Sequence, residues 1–349
     1  MSVTNRPTPQ PYAKVVSRST AGHPDYICDG ADDDVQIQAA ITAVAAAGGG
    51  TIVIREGTYV LGAVVAISGD NIQIIGEGRG ATILQTKAAS TAYALLETTS
   101  TSSHCYFADF TLDGNKANQT TLNQDPFGLY DGDYHIVERV EVKNGNRNSG
   151  TTAGIWCSAF AARVINCYVH DNEYYGIVVD ASGCKAIGCI SESNGDAGIV
   201  ADGEGVSVES CHSRLNTGKG IRLTTQCCIA TNNTLQGNKK DPIDVAAAKC
   251  IVMGNYIDIA NSSAGTSQLD ADNTYSGILL SSASTDSCVI TGNIIHNASF
   301  SGNNLEYAIR EDNAGCDKNI ITGNQATIGA TGKVSTQGAS TVSANNLES

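Results

Sequence analysis

The sequence predicts an all-β solenoid, a parallel β-helix in which one coil takes about 22 residues. Three observations carry this. Gly-Ile stands at 154–155, 176–177, 198–199 and 220–221, each 22 residues from the last, and Pro242-Ile243 follows in phase. Asn172, Asn194, Asn216 and Asn238 keep the same period, as do Cys167, Cys189 and Cys211. Between these markers the apolar letters alternate with others in runs of four or five, as in "GIVVD", "GIVAD" and "GIRLT". A fixed period of this length marks a repeat architecture, and it is too short for two helices per repeat. Strands stacked coil on coil remain, with equivalent residues one parallel-strand spacing, about 4.8 Å, apart.

Taken in order, residues 1–24 are expected to be an N-terminal extension and 25–50 a capping-helix region. Within the latter, "DDDVQIQAAITAVAAAGGG" places Ile37, Ile41 and Val44 on one helical face. Acids occupy its first turn and Gly48 to Gly50 end it. Such a helix before "TIVIREGTYVL" serves as a lid, because the open end of a solenoid exposes apolar core and strand edges. Residues 51–349 are then the β-helix, without an internal linker. The asparagines are expected to form side-chain ladders at tight turns, and the cysteines a buried column of small apolar side chains. Of the vicinal pair Cys227-Cys228, one is expected to face in and one out. Farther on, Asn255, Asn293 and Asn324 are 38 and 31 residues apart. The surplus must leave the coils as loops, near 261–275 and 298–306.

Composition narrows function. A net charge of −14 gives no basic stripe for a nucleic-acid backbone. No apolar run of membrane-spanning length occurs, and "MSVTNRPTPQPYAK" lacks the apolar core of a signal peptide. The sequence therefore predicts a soluble chain with no nucleic-acid or membrane partner. Twelve cysteines occur without a short CxxC pair of the zinc type.

"DGADDDVQIQAAITAVAAAGGGTIVIREGTYVL", then "GEGRGATIL" and "FTLDGN", resembles the N-terminal cap and first coils of the pectate-lyase-like right-handed β-helix superfamily. That group includes pectinolytic hydrolases, pectate lyases, alginate epimerases and phage tail-spike depolymerases. "VERVEVKN…AGIWCSAFAARVINCYVHDNEYYGIVVD" is similar to the mannuronan C5-epimerase module. That family carries its chemistry in a Tyr-Gly-Phe-Asp-Pro-His strand and an Asp in the next coil. The matching strand here is Ala153-Gly154-Ile155-Trp156-Cys157-Ser158, and only Asp180 matches, at the next-coil Asp. The hydrolase branch's Asn-Thr-Asp, Gly-His-Gly and Arg-Ile-Lys signatures are absent too. The resemblance thus implies a right-handed parallel β-helix and a polysaccharide partner, and does not bring the family's catalytic set with it.

Site residues must then come from strand alternation. The residues one and three after each repeat Gly are apolar and point inward; those two and four after it point outward. Position two gives Trp156, Val178, Val200, Arg222 and Asp244; position four gives Ser158, Asp180, Asp202, Thr224 and Ala246. Tyr175 and Lys219 precede the Gly at the strand edge. One coil earlier, "DPFGLYDGDYH" is expected to add Tyr130 to the same face, with Asp131, Asp133 and His135 at its end. Trp156 and Tyr130 offer flat surfaces for pyranose rings; the alternative for Trp156 is a crevice filler beneath a loop. Asp180 and Asp202, one coil apart at roughly 5 Å, would share a proton or bind a cation such as Ca²⁺. The alternative is two turn-end aspartates splayed into water.

A lyase or epimerase must neutralise the uronate carboxylate, remove the proton at C5 and supply an acid. Lys219 or Arg222 suits the first task, and Tyr175 or His135 proton transfer. A retaining hydrolase would use two carboxyls roughly 5 Å apart. The sequence thus predicts a single-domain right-handed parallel β-helix that binds an acidic, uronate-containing polysaccharide along the Trp156–Asp244 face and modifies it. A glycoside hydrolase and a non-catalytic, tail-spike-like glycan binder are the alternatives. No cofactor is required beyond the Ca²⁺ alternative, the expected assembly is a monomer or a homotrimer, and the site of action is extracellular or on a virion.

Overall fold

The computed structural model describes residues 13–120, 122–261, 266, 267, 269–271, 273–296, 304–327 and 332–348. They form two units, Met1–Tyr168 and Val169–Ser349. Each is built of three parallel sheets whose strands recur in the same order along the chain, the pattern of a parallel β-helix.

In the first unit the helix Asp34–Ala46 forms where expected, with Ile37, Ile41 and Val44 fully buried. Its turn-off uses Gly49, at φ +113°, where a Cβ would stand 2.9 Å from the Asp70 carbonyl oxygen. Asp33, just ahead of the helix, is buried and accepts from the Gly30 and Val60 backbone N–H groups at 2.8 and 2.9 Å. It thereby ties the entry of the helix to the strand Gly57–Leu61. Within the segment expected to be an extension, Ala13–Ser17 pairs in parallel with Gly50–Ile54 and so belongs to the first sheet. The strands that matter for the site are those of the third sheet: Val65–Ile67, Leu96–Thr98, Phe127–Leu129 and Ala153–Cys157.

In the second unit the third sheet runs Tyr175–Val179, Ile199–Ala201, Ile221–Leu223, Ile243–Val245, Ser276–Leu280 and Tyr307–Glu311, each in register with the next. Here the expected asparagine ladder forms. The Asn172 amide donates to Asn194 Oδ1 at 3.0 Å, Asn194 to Asn216 at 3.0 Å and Asn216 to Asn238 at 2.9 Å. A second ladder occupies the turn between the first two sheets: Asn233, Asn255, Asn293, Asn324 and Asn346, linked at 2.9–3.0 Å. It continues the cysteine column, since the Cys211 N–H donates to Asn233 Oδ1. The uneven 38- and 31-residue intervals therefore preserve one slot.

Every cysteine is free, and all are buried except the half-buried Cys227 beside buried Cys228. The excursion expected near 261–275 includes a short antiparallel pair, Ala260–Asn261 with Thr266–Ser267. The rest of it, in part, and residues 298–303 of the second loop lie outside the described residues. Among the described residues no helix is long and apolar enough to cross a membrane.

Candidate functional site

The outer face of the third sheet holds the candidate groups, and the two units furnish it differently. In the second unit, register stacks Val178, Val200, Arg222 and Asp244 in one column, as alternation predicts. Facing outward does not mean being exposed, however. Val178 and Val200 are 2% and 4% exposed and Asp244 only 1%. Arg222 accounts for part of this: its Nη1 reaches the Tyr175 hydroxyl at 3.3 Å, so its side chain runs back over Val200. Its Nε donates to Asp244 Oδ2 at 3.4 Å, where Lys219 Nζ also donates at 2.6 Å. One buried carboxylate thus orients two cations whose side chains stay 23% and 29% accessible.

The other Asp244 oxygen, Oδ1, is buried without a hydrogen-bond partner among the described residues. Such an atom marks a place for a water or a ligand donor. Burial holds the Tyr175 phenol above its ordinary range, assisted by the neighbouring Tyr174 hydroxyl, whose ring lies 4.2 Å from it. Burial pulls the Arg222 guanidinium down, but Asp244 and Tyr175 outweigh it and its proton is held more firmly than usual. Tyr175, Lys219, Arg222 and Asp244 are therefore brought together.

One further member of this cluster fits the sequence pattern but is not among the candidates read from it. Asp241 occupies the same strand-edge position as Tyr175 and Lys219, directly before Pro242, and is buried. Its Oδ1 accepts from the Ser276 N–H at 2.8 Å. Burial raises its carboxyl to about 6, against the ordinary 3.8, although Lys219 acts to lower it.

Asp180 and Asp202 stand at the far end of these strands, just beyond the registered pair Val179 and Ala201. Asp202 is exposed and accepts the Thr224 hydroxyl in a very short hydrogen bond. The side-chain oxygens here are two carboxylates and a hydroxyl, and Ca²⁺ would need backbone carbonyls and waters to complete the six to eight it takes. Among the described residues no group of three or more His, Cys, Asp or Glu is disposed to hold a metal ion.

In the first unit the outer column reads Ala66, Glu97, Gly128, Trp156. Tyr130 lies over this column. A Cβ on Gly128 would stand 2.2 Å from Tyr130 Cε2 and 2.4 Å from Cζ, so glycine is required there by the ring's close approach. The Tyr130 hydroxyl donates to Asp125 Oδ2 at 2.7 Å, and Asp125 Oδ1 accepts from the Ala153 N–H at 2.6 Å. Burial raises the pKa of both groups. Tyr93, half exposed, donates to Glu97 Oε2 at 2.6 Å, which lifts its phenol to about 12. Trp156 is half-buried, and its Nε1 donates to Ser158 Oγ at 3.0 Å.

His135 is not on this face. It is fully buried, in the slot before a first-sheet strand that Cys184, Cys228, Cys250 and Cys288 fill in the second unit. Its Nδ1 accepts from the Cys105 N–H at 3.2 Å, which leaves Nε2 to donate to the Asp131 carbonyl at 3.1 Å. Burial lowers its pKa, consistent with a neutral imidazole held as a structural element. The expectation that it transfers protons is therefore corrected.

Against known proteins, residues 94–264 match the family described as a right handed beta helix region. Mannuronan C5-epimerase AlgE6 of Azotobacter vinelandii is 35% identical over 132 residues. That match covers 33% of this chain and 15% of the relative's own length. Among solved structures, the A-module of the same AlgE6 superposes with a TM-score of 0.71 at 21% identity, covering 92% of this chain and 96% of the module. The enzymatically active domain of bacteriophage CBA120 tailspike protein 2 gives 0.69 at 12% identity, covering 94% of this chain and 52% of that one. The fold expected from the sequence, a right-handed parallel β-helix shared with mannuronan C-5 epimerase modules and phage tailspikes, is the fold of this chain.

Proposed function

We propose that the protein acts on a polysaccharide and holds an anionic sugar, a uronate, at Lys219 and Arg222 on the third sheet of its second unit. The observation that carries this is the buried Asp244 carboxylate with two partly accessible cations converging on it. Asp244 fixes both cations, so little side-chain entropy is left to lose when they close on a carboxylate. Arg222 Nη2 makes no hydrogen bond to the described residues and is available for a carboxylate oxygen. The similarity to a mannuronan C5-epimerase over a third of the chain supports the substrate class.

For lyase or epimerase chemistry, Arg222 and Lys219 would offset the charge that builds on the uronate carboxylate as the C5 proton leaves. Tyr175, kept protonated by burial, is the acid within reach of Arg222. Asp241, whose carboxyl burial raises to about 6, is the candidate base, in place of His135. Trp156 and Tyr130 would give sugar rings their stacking surface in the first unit. Asp180 and Asp202 sit at the strand ends without a direct part in these steps. Action outside a cell or on a virion fits a polymeric substrate; a homotrimer would accompany virion attachment and a monomer a free enzyme.

A second reading, glycan binding without turnover, is favoured by one feature: Asp241, the candidate base, is buried and already accepts the Ser276 N–H at 2.8 Å. Incubation with alginate, pectate and capsular polysaccharides separates the readings. Growth of the unsaturated-uronate ultraviolet band marks elimination, and a changed C5 configuration by NMR marks epimerisation. Arg222→Ala is expected to weaken uronate binding at least tenfold. Wild-type retention of uronate polymers with neither chemical change would establish binding alone, and no retention of any polysaccharide would end the proposal.

A further inference from the structure

We infer that the first unit carries a second, chemically distinct carbohydrate site that takes an uncharged pyranose, built from Trp156, Tyr130 and Glu97 over Gly128. The inference rests on the polysaccharide reading above and specifies a sugar class that reading leaves open. Four observations assemble it.

First, Glu97, Gly128 and Trp156 are consecutive rungs of one outward column, so they lie one strand spacing apart, about 4.8 Å. Second, the missing Cβ at Gly128 lets the Tyr130 ring settle against the backbone of the middle rung; any other residue would strike its Cε2 and Cζ. An aromatic floor is thereby seated between a carboxylate rung and a tryptophan rung.

Third, the ring is held in place. Its hydroxyl is bound to half-buried Asp125, which is itself fixed by the Ala153 N–H. The platform is therefore ordered before a ligand arrives, which lowers the entropy lost on binding. Fourth, Glu97 is oriented by the Tyr93 hydroxyl through Oε2 only, so its other oxygen remains an acceptor for sugar hydroxyls.

Charge decides the sugar class. The column Ala66, Glu97, Gly128, Trp156 contains no Lys or Arg, and the hydrogen bonds at its middle rungs join Tyr93 to Glu97 and Tyr130 to Asp125. A uronate set on this floor would bring its carboxylate beside Glu97, whose charge opposes it. A neutral pyranose presents apolar C–H faces to the rings and hydroxyls to Glu97, the usual composition of a small-molecule site with few polar anchors. The second unit, with Lys219 and Arg222, has the opposite preference.

The test measures binding of the intact chain to immobilised neutral and N-acetylated hexose oligosaccharides beside oligoalginate and oligogalacturonate. Trp156→Ala is expected to lower the neutral-to-uronate affinity ratio at least tenfold, and Arg222→Ala to raise it at least tenfold. Glu97→Gln, which keeps the shape and removes the charge, is expected to lower the ratio by admitting uronates. Should Trp156→Ala leave the ratio within twofold, or no neutral probe bind while uronates do, the inference fails and the uronate site stands. Loss of uronate binding in the wild type with neutral binding retained would sink the earlier reading instead. Circular dichroism of each variant identifies any that fail to fold, and Trp156→Phe, which keeps a ring, should recover most of the ratio.

Discussion

Asp125 in the first unit and Asp241 in the second occupy one structural slot and were put to different uses. Each precedes a proline, and the Oδ1 of each accepts from the N–H of the next coil, Ala153 or Ser276, though Asp241 is buried and Asp125 half-buried. The remaining oxygen differs. In the first unit it anchors the Tyr130 phenol and so an aromatic floor; in the second, the Lys219 charge acts on the group. A solenoid repeats its backbone and varies its outward letters, so a single coil device can support a neutral floor or a charged one. On the reading proposed above, the charge balance of each face, rather than its shape, would set what it recognises.

The largest effect should come from removing the carboxylate that organises the charged face. Asp244→Ala leaves Lys219 and Arg222 side by side without the anion that holds both. Breaking a buried pair costs about 3–5 kcal/mol, and the partial exposure of the two cations reduces this to about 2–3 kcal/mol through solvent screening. Urea denaturation should report that loss together with weaker uronate binding. An unchanged midpoint would show that Asp244 does not organise the face.

A smaller and oppositely signed effect is expected at Asp241. Its carboxyl titrates near 6 when folded and near 3.8 otherwise. Below both values the group is protonated in either state and costs nothing. As pH rises between them the unfolded chain gives up its proton first, so stability falls, and above about 6 the loss is complete. The shift corresponds to about 3 kcal/mol. Asp241→Asn keeps an acceptor for the Ser276 N–H and removes the titration, at the expense of the attraction to Lys219. Thermal melts should show it about 1–2 kcal/mol more stable than the wild type at pH 8, with a shallower fall between pH 4 and 6. Asp125, raised in the same direction, should keep part of that slope. A slope unaltered by Asp241→Asn would assign the whole of it elsewhere.

Much of the second unit was legible in the letters because its coils keep a constant period. Once Gly176, Gly198, Gly220 and Pro242 are aligned, the column through Arg222 and Asp244 and the edge through Tyr175 and Lys219 follow from alternation. The same alignment places Asp241, which becomes informative only when its burial is known. Alternation gives a side chain's direction and not its exposure, which is why Val178 and Val200 face outward yet are covered. In the first unit the registered residues Leu96, Phe127 and Ile155 are 31 and 28 apart, so no fixed period exposes the Glu97–Gly128–Trp156 column. His135 was misplaced for the same reason: without a period, its slot in the interior column could not be told from a surface turn.

The smallest effect expected, and the one that isolates the first unit, follows Gly128→Ala. The added methyl occupies the place of the Tyr130 ring edge, so the ring must leave, and with it the hydroxyl that satisfies Asp125 Oδ2. Losing one such bond costs about 1 kcal/mol, with somewhat more for the unsatisfied acceptor left on half-buried Asp125. Replacing glycine inside a strand returns a few tenths to about 1 kcal/mol by restricting the unfolded chain. The net destabilisation should be about 1 kcal/mol or less, small enough that the variant folds. Trp156 is the only tryptophan and stands on the next rung, so its emission reports the displacement directly. A red shift with weaker binding of neutral sugars is the expected pair of results, while Val200→Ala, on the corresponding column of the second unit, should move neither. An unshifted emission with a more stable protein would mean that the Tyr130 ring does not depend on the bare backbone of Gly128, and the aromatic floor would lose its foundation.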